Sequence, residues 1–256
     1  MKIRIEPLKM NNAQVIPKLI ESGMNKDIFS LTIFSAKRYG EYLKNLLMIP
    51  EENRRVKFYG AFVDEHLAGY TEWRVFKNNL FLNNIYIFPE YQGMGIGTAL
   101  LVKHGYKLLE KHGKSMMCLD VFENNLEALN WYEKIGFVKK NSTNWYVAEQ
   151  RAFTSANGNC ECYIENYPNA EADHTAYDFS MLTCSTANGV HQIGRIRNQF
   201  YRLTDPKSLQ DLDLLHCLYQ LDPTRKLLLL TNESFTGNET FTLVCISNRM
   251  NVEILV

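Results

Sequence analysis

The stretch Ile85–Leu101 constrains this chain more than any other. Ile85, Tyr86, Ile87 and Phe88 form a short apolar run of β-branched and aromatic residues, the composition of a buried strand. Pro89 cannot donate to a ladder and ends it. Gly93, Gly95 and Gly97 follow at alternate positions, and from Thr98 onward Leu100, Leu101, Leu108 and Leu109 recur at helical spacing. The pattern predicts a strand, a tight turn and a helix. A loop poor in side chains that runs into a helix start presents free N–H groups and the positive end of the helix dipole. That combination binds phosphate, so the sequence predicts a phosphate-bearing cofactor.

The spacing narrows the choice. A Walker loop requires a lysine after its last glycine, and none follows Gly97. The dinucleotide fingerprint G-x-G-x-x-G would place its third glycine one residue later than Gly97. A hairpin turn would lead into an alternating strand, not into a helix. The segment holds Gln92-x-x-Gly95-x-Gly97 after Pro89-Glu90-Tyr91. This resembles the pyrophosphate loop of the GNAT superfamily of N-acetyltransferases. The resemblance implies that Gln92, Gly93, Met94, Gly95, Ile96, Gly97 and Thr98, with the strand residues Ile85, Tyr86 and Ile87, hold acetyl-CoA as cosubstrate.

A second segment points the same way. Lys114–Phe122 reads as a strand, and Asn124–Phe137 as a helix with both ends marked. Asn124 is placed to cap its start with Glu127 three residues on, Lys134 lies in the last turn, and Gly136 suits the left-handed stop. Asn125, Ala128 and Tyr132 share one face. The run N-x-x-A-x-x-W-Y-E-K-x-G-F resembles the other GNAT hallmark. The resemblance implies that Asn125 contacts the cofactor, that Ala128 lets the pantetheine arm pass, and that the Tyr132 hydroxyl lies near the thioester sulfur. Taken alone, the helix is an ordinary amphipathic one with core aromatics; following the glycine-rich helix by one strand, it is far more specific.

The rest of the chain fits an α+β (α/β) fold. Residues 1–150 read as strand, helices, three strands, helix, strand, helix and two strands, the last two at Phe137–Lys140 and Asn144–Gln150. That order matches a GNAT domain, a mixed and mainly antiparallel sheet flanked by helices. Residues 151–256 read as a smaller α+β module. Linker is expected at Thr154–Asn159 and around Pro168–Asp173, with strands at Phe179–Cys184, Val190–Leu203, Lys226–Thr231 and Thr240–Ile246, and a helix at Ser208–Leu221. It carries no second glycine cradle, and its strand–helix–strand order suggests a degenerate half of the same fold.

Bulk properties exclude several partners. Lys plus Arg equals Asp plus Glu at 28 each, so nothing points to nucleic acid or an acidic membrane surface. Six scattered cysteines form no C-x-x-C pair, and no metal site is expected. Without a signal-peptide h-region or an apolar run of membrane length, a cytoplasmic protein is expected. Arg195, Arg197 and Arg202 read as a solvated strand face, His174 as a loop residue, and His104 and His112 as surface or capping residues.

The predicted function is acetyl transfer from acetyl-CoA to a primary amine by direct attack in a ternary complex, with Tyr132 as the catalytic group. The acceptor is left open, from polyamine to lysine side chain. Many GNAT enzymes place a carboxylate on the strand before the loop; here Asn83 and Asn84 stand there and cannot accept a proton. Glu72 on the neighbouring strand is the substitute, although its ordinary reading is an exposed strand carboxylate. The alternative is a non-catalytic acyl-CoA-binding sensor or regulatory module. Residues from 151 onward are expected to shape the acceptor side or to mediate self-association as a homodimer.

Overall fold

The structure, a computed structural model, describes residues 2–153, 161–235 and 237–254. The expected linker at Thr154–Asn159 lies outside the described residues. The chain divides into two compact units: Met1–Met24, Gly40–Asn141 and Ser247–Val256 form one, and Asn25–Tyr39 with Ser142–Ile246 form the other. The sequence draws a single boundary at residue 150; the division instead falls after Asn141, and each unit takes in a segment from beyond that line.

Unit 1 contains β1 (Ile3–Pro7), α1 (Ile16–Gly23), α3 (Tyr39–Met48), β2 (Val56–Val63), β3 (His66–Val75) and β4 (Leu80–Ile87), with α2 (Lys26–Ser30) assigned to unit 2. A continuous helix follows β4, made of α4 (Ile96–Thr98), a π-helical run (Ala99–His104) and α5 (Gly105–Lys111). Then come β5 (Met116–Phe122) and α6 (Leu126–Ile135). Neighbouring strands of β1 to β4 pair antiparallel, and β4 pairs parallel with β5. The sheet is completed from the far end of the sequence. Residues 247–253 of β12 (Thr242–Glu253) run antiparallel to β5, with Met250 opposite Leu119. The core lies under the two helices, where Trp73, Leu101, Leu108, Leu119, Tyr132, Phe137 and Met250 pack together.

Unit 2 repeats the order with shorter parts: β7 (Tyr163–Ile164), α7 (Tyr167–Tyr177), β8 (Phe179–Thr186), β9 (Gly189–Ile196), β10 (Phe200–Leu203), α8 (Leu212–Leu221) and β11 (Lys226–Thr231). Here β10 and β11 are the parallel pair, as β4 and β5 are in unit 1. Its last place is filled by the strand that precedes all its others in the sequence. Residues 144–149 of β6 (Val138–Glu149) run antiparallel to β11, with Tyr146 opposite Leu229. The core joins Tyr146, Leu182, Ile193, Tyr201, Leu214, Leu218 and Leu229. Leu31 and Ile33, from the 25–39 segment, pack on Ile196, Phe200, Leu228 and Leu230 of this unit.

Several local expectations are corrected. The two strands expected at 137–150 are one, β6, with no turn between them. The expected strand Val190–Leu203 is two, joined by a turn in which Arg197 has φ 49°. The region around Pro168 is helical: Pro168 sits in the first turn of α7, where its missing N–H costs nothing. His174 lies on α7 rather than in a loop, and its ring meets Asn198 and Arg225. Arg195 is buried rather than solvated; it bonds Ser180, Glu171 and the Ala170 carbonyl. His104 packs edge-on against Tyr59, and burial pushes its imidazole down to about 4. No described helix is long and apolar enough to cross a membrane, and no metal-ligating cluster occurs among the described residues.

Candidate functional site

The site grows from an interruption in the unit 1 sheet. On β4, Asn84 pairs with Glu72 while Leu82 pairs with Trp73, so Asn83 is an extra residue, a bulge. The parallel pairing of β4 with β5 reaches only from Leu80–Met117 to Leu82–Leu119. Beyond the bulge, Asn83–Ile87 keeps β3 on one side and has lost β5 on the other. The strands part there, and the β4 backbone groups that face the gap are available to a ligand. Ile85 and Ile87 turn their side chains into the core under the long helix, with Ile96 and Leu100. Tyr86 lies on the other face, its ring stacked 6.3 Å from Tyr70.

The glycine-rich loop stands at the end of this gap. Gln92 donates from Nε2 to the Ile87 carbonyl at 3.1 Å, tying the loop to the strand end. Gly93 and Gly95 have φ of +74° and +76°, a region that L side chains enter only with strain. Nothing lies within 4 Å of where a Cβ would stand at either one. Gly95 caps α4 without a side chain, so the first N–H groups of the helix, at Ile96, Gly97 and Thr98, have no side-chain cap. An open concave backbone at the positive end of a helix fits a pyrophosphate. Gly97 serves a different need: a Cβ there would stand 3.3 Å from the Trp131 ring, so its absence lets α6 approach the loop.

The second motif follows β5. Asn125, not Asn124, caps α6: its side-chain oxygen accepts from the Ala128 N–H at 3.1 Å. Both asparagines suit the role by type; the chain turns one residue later than the sequence suggests. The cap uses the Asn125 oxygen and leaves its NH2 outward. Gly136 ends the helix with φ +104°, as expected. Tyr132 is buried against Phe137 and Trp131, yet its hydroxyl takes no hydrogen-bond partner among the described residues. Burial, and then the nearby Tyr86 phenol, raise its pKa well above the ordinary tyrosine range. It is therefore a neutral donor at any physiological pH. Cys118 on β5 is buried, which raises its thiol pKa, so it is a poor nucleophile.

One residue departs from its ordinary reading. Glu72 is not an exposed strand carboxylate; it is 3% exposed. Asn84 Nδ2 donates to it at 2.8 Å and the Arg74 guanidinium approaches at 3.3 Å. Opposite each other in the ladder beside the bulge, Glu72 and Asn84 place a buried carboxylate and an amide on the Tyr86 face of the sheet. Glu72 can hold a proton, and the two asparagines cannot.

The family model described as Acetyltransferase (GNAT) family matches residues 26–137. The spermidine N(1)-acetyltransferase of Thermoplasma acidophilum is 33% identical over 97 residues, 38% of this chain and 60% of that protein. The thialysine N-epsilon-acetyltransferase of Bos taurus is 31% identical over 121 residues, 46% of this chain and 65% of that one. The chain thus spans less than two thirds of the length of either relative. Two solved structures follow nearly the whole chain and show its fold. A tandem GNAT protein from the clavulanic acid biosynthesis pathway superposes with a TM-score of 0.63 at 11% identity, covering 98% of both chains. A GCN5-related N-acetyltransferase from Sphaerobacter thermophilus gives 0.64 at 14%, covering 99% of this chain and 96% of that one.

Proposed function

For a chain that belongs to the GNAT acetyltransferase family through residues 26–137, we propose N-acetylation of a primary amine, with acetyl-CoA as cosubstrate and unit 1 as the site of transfer. The observation that carries this reading is the open Gly93–Gly95 turn at a helix N-terminus, set at the end of a parted pair of strands. The same cradle, with Gln92, Met94, Ile96, Gly97, Thr98 and the Asn125 amide, is the proposed seat of the cofactor.

Bound there, acetyl-CoA supplies a thioester whose carbonyl an amine nitrogen attacks. The β4 backbone N–H groups beyond Asn83 polarise that carbonyl and hold the charge that grows on its oxygen. Tyr132, kept protonated by burial, donates to the departing sulfur. Glu72 takes the proton that the amine gives up, and Asn84 fixes the carboxylate by its 2.8 Å bond. Primary amines are mostly charged at neutral pH, so a buried carboxylate also favours their approach. Spermidine and thialysine, the acceptors named for the two relatives, are amines of this kind, and a small alkylamine is the acceptor class proposed here. The loss of an acidic residue at positions 83 and 84 favours a second reading, a sensor that binds acyl-CoA without transfer.

The deciding experiment measures CoA affinity by calorimetry and acetylated product by mass spectrometry over a panel of polyamines, amino acids and peptides. Product from an alkylamine supports the enzyme. CoA binding with no product from any amine supports the sensor, and no CoA binding removes both.

A further inference from the structure

Unit 2 contains a pocket of about 400 Å³ that the acyl-transfer reading does not use. Its walls are Tyr146, Phe235, Phe241 and Leu243, with Asn238 and Glu239 at the rim. Its origin lies in the repeat. Tyr146 stands opposite Leu229 as Met250 stands opposite Leu119 in unit 1. In unit 1, the chain after the parallel strand forms α6, and Tyr132 and Phe137 pack over Met250 and Leu119. In unit 2 the described residues of the corresponding connection, 232–235 and 237–241, form no helix. Phe235 and Phe241 stack on each other at 4.4 Å and meet Tyr146 edge-on at 5.4 and 6.0 Å. Two rings cover less than a helix, and the pocket is what they leave.

The lining has one sign of charge. Glu239 is exposed and has no ion-pair partner among the described residues, and no Lys, Arg or His lines the pocket. The Tyr146 hydroxyl is already engaged, accepting from the Phe235 N–H at 3.1 Å. An apolar molecule would gain nothing from the carboxylate, and an anion would meet repulsion from Glu239 and the negative faces of the rings. A cation with a greasy body satisfies both, since aromatic faces attract it and a carboxylate pairs with it. We propose that this pocket binds an organic ammonium ion, a second amine site apart from the cradle of unit 1.

The test uses the full chain and choline, which has no N–H to acetylate and so reports binding alone. Its neutral carbon isostere, 3,3-dimethylbutan-1-ol, has the same shape without the charge. Ligand-observed NMR titration is expected to show choline binding about tenfold or more tightly than the alcohol. Glu239→Gln, at an exposed position, is expected to weaken choline by about tenfold, and Leu243→Trp, which fills the pocket, to abolish binding. Equal affinity for choline and the alcohol overturns the proposal. So does an unchanged choline affinity in Glu239→Gln with an unchanged melting temperature. If Leu243→Trp melts early, Glu239→Gln alone decides.

Discussion

Leu119 and Leu229 hold equivalent places, each in a strand parallel to its predecessor and each facing a strand distant in the sequence. Around these two points the units share a plan and differ in two connections. In unit 1 the strand-to-helix connection is glycine-rich and leaves the helix start open. In unit 2 it is Thr204–Asp211, and Asp211 closes the helix start by accepting from the Leu214 N–H at 3.1 Å. The buried Asp211 carboxylate also takes bonds from Thr186 and from His191. A negative charge stands at a helix start that unit 1 leaves without a side-chain cap. The second difference is the helix after the parallel strand, present in unit 1 and replaced by a phenylalanine-lined loop in unit 2. One sheet plan therefore carries an uncapped helix start or a closed one, according to what occupies a helix N-terminus.

The largest expected effect tests the exchanged strands. Ending the chain at Gln150 removes residues 247–253, which pair with β5 over seven positions, and takes the fully buried Met250 out of the core. A bare β5 edge and a core cavity worth about 2–5 kcal/mol should leave the shortened chain insoluble or without a cooperative melt. A soluble fragment that melts cooperatively and binds CoA would show that unit 1 does not depend on that strand.

Next is the cradle. Gly95→Asp adds a strained β-carbon at φ +76° and a negative charge, making the unit 1 helix start resemble that of unit 2. CoA affinity by calorimetry should fall by about a hundredfold or more, with circular dichroism preserved. Wild-type affinity in the folded variant would end the assignment of this loop to pyrophosphate.

Tyr132→Phe should keep CoA affinity and lower kcat by about a hundredfold, the usual worth of a general acid. Because burial raises the Tyr132 pKa above the ordinary value, the hydroxyl stays protonated through the working range, and no fall in rate up to about pH 10 should trace to it. An unchanged kcat would reduce Tyr132 to packing.

The smallest effect lies in unit 2. Asp211→Ala should cost about 1–2 kcal/mol as a lost helix cap and leave CoA affinity unaltered. Burial pushes the Asp211 carboxyl up, but bonds from Thr186, the Leu214 N–H and His191 outweigh this and hold it below the usual value. The unfolded chain then takes up the proton first. The stabilisation is full above about pH 4 and is lost as pH falls through the folded pKa. Urea melts from pH 6 down to 3 should show a shallower acid decline in Asp211→Ala than in wild type.

What the sequence reveals is what is local. The strand, the glycine turn and the helix start sit within Ile85–Leu101, and the Tyr132 helix carries its own stop at Gly136, so period and punctuation suffice. The exchange of strands is not local. Asn144–Gln150 alternates as a strand must, but nothing in the alternation says that its partner is Lys226–Thr231. Glu72 is similar: its burial follows from the bulge that sets Asn84 opposite it, a cross-strand register that a strand's own residues do not state. Pro168 illustrates a sign with two meanings, since proline ends a helix and also begins one.

The exchange also sets an order of events during synthesis. β5 is complete at Phe122, but its neighbour starts at Ser247, after all of unit 2 has been made. At ribosomal speeds of roughly 5–20 residues per second, unit 1 waits on the order of ten seconds with an open strand edge. Unit 2 has the β6 residues that complete it, 144–149, before its other strands exist. Unit 1, begun first, is thus the last to close, and a ribosome that stalls in unit 2 releases a chain whose β5 still lacks its neighbour.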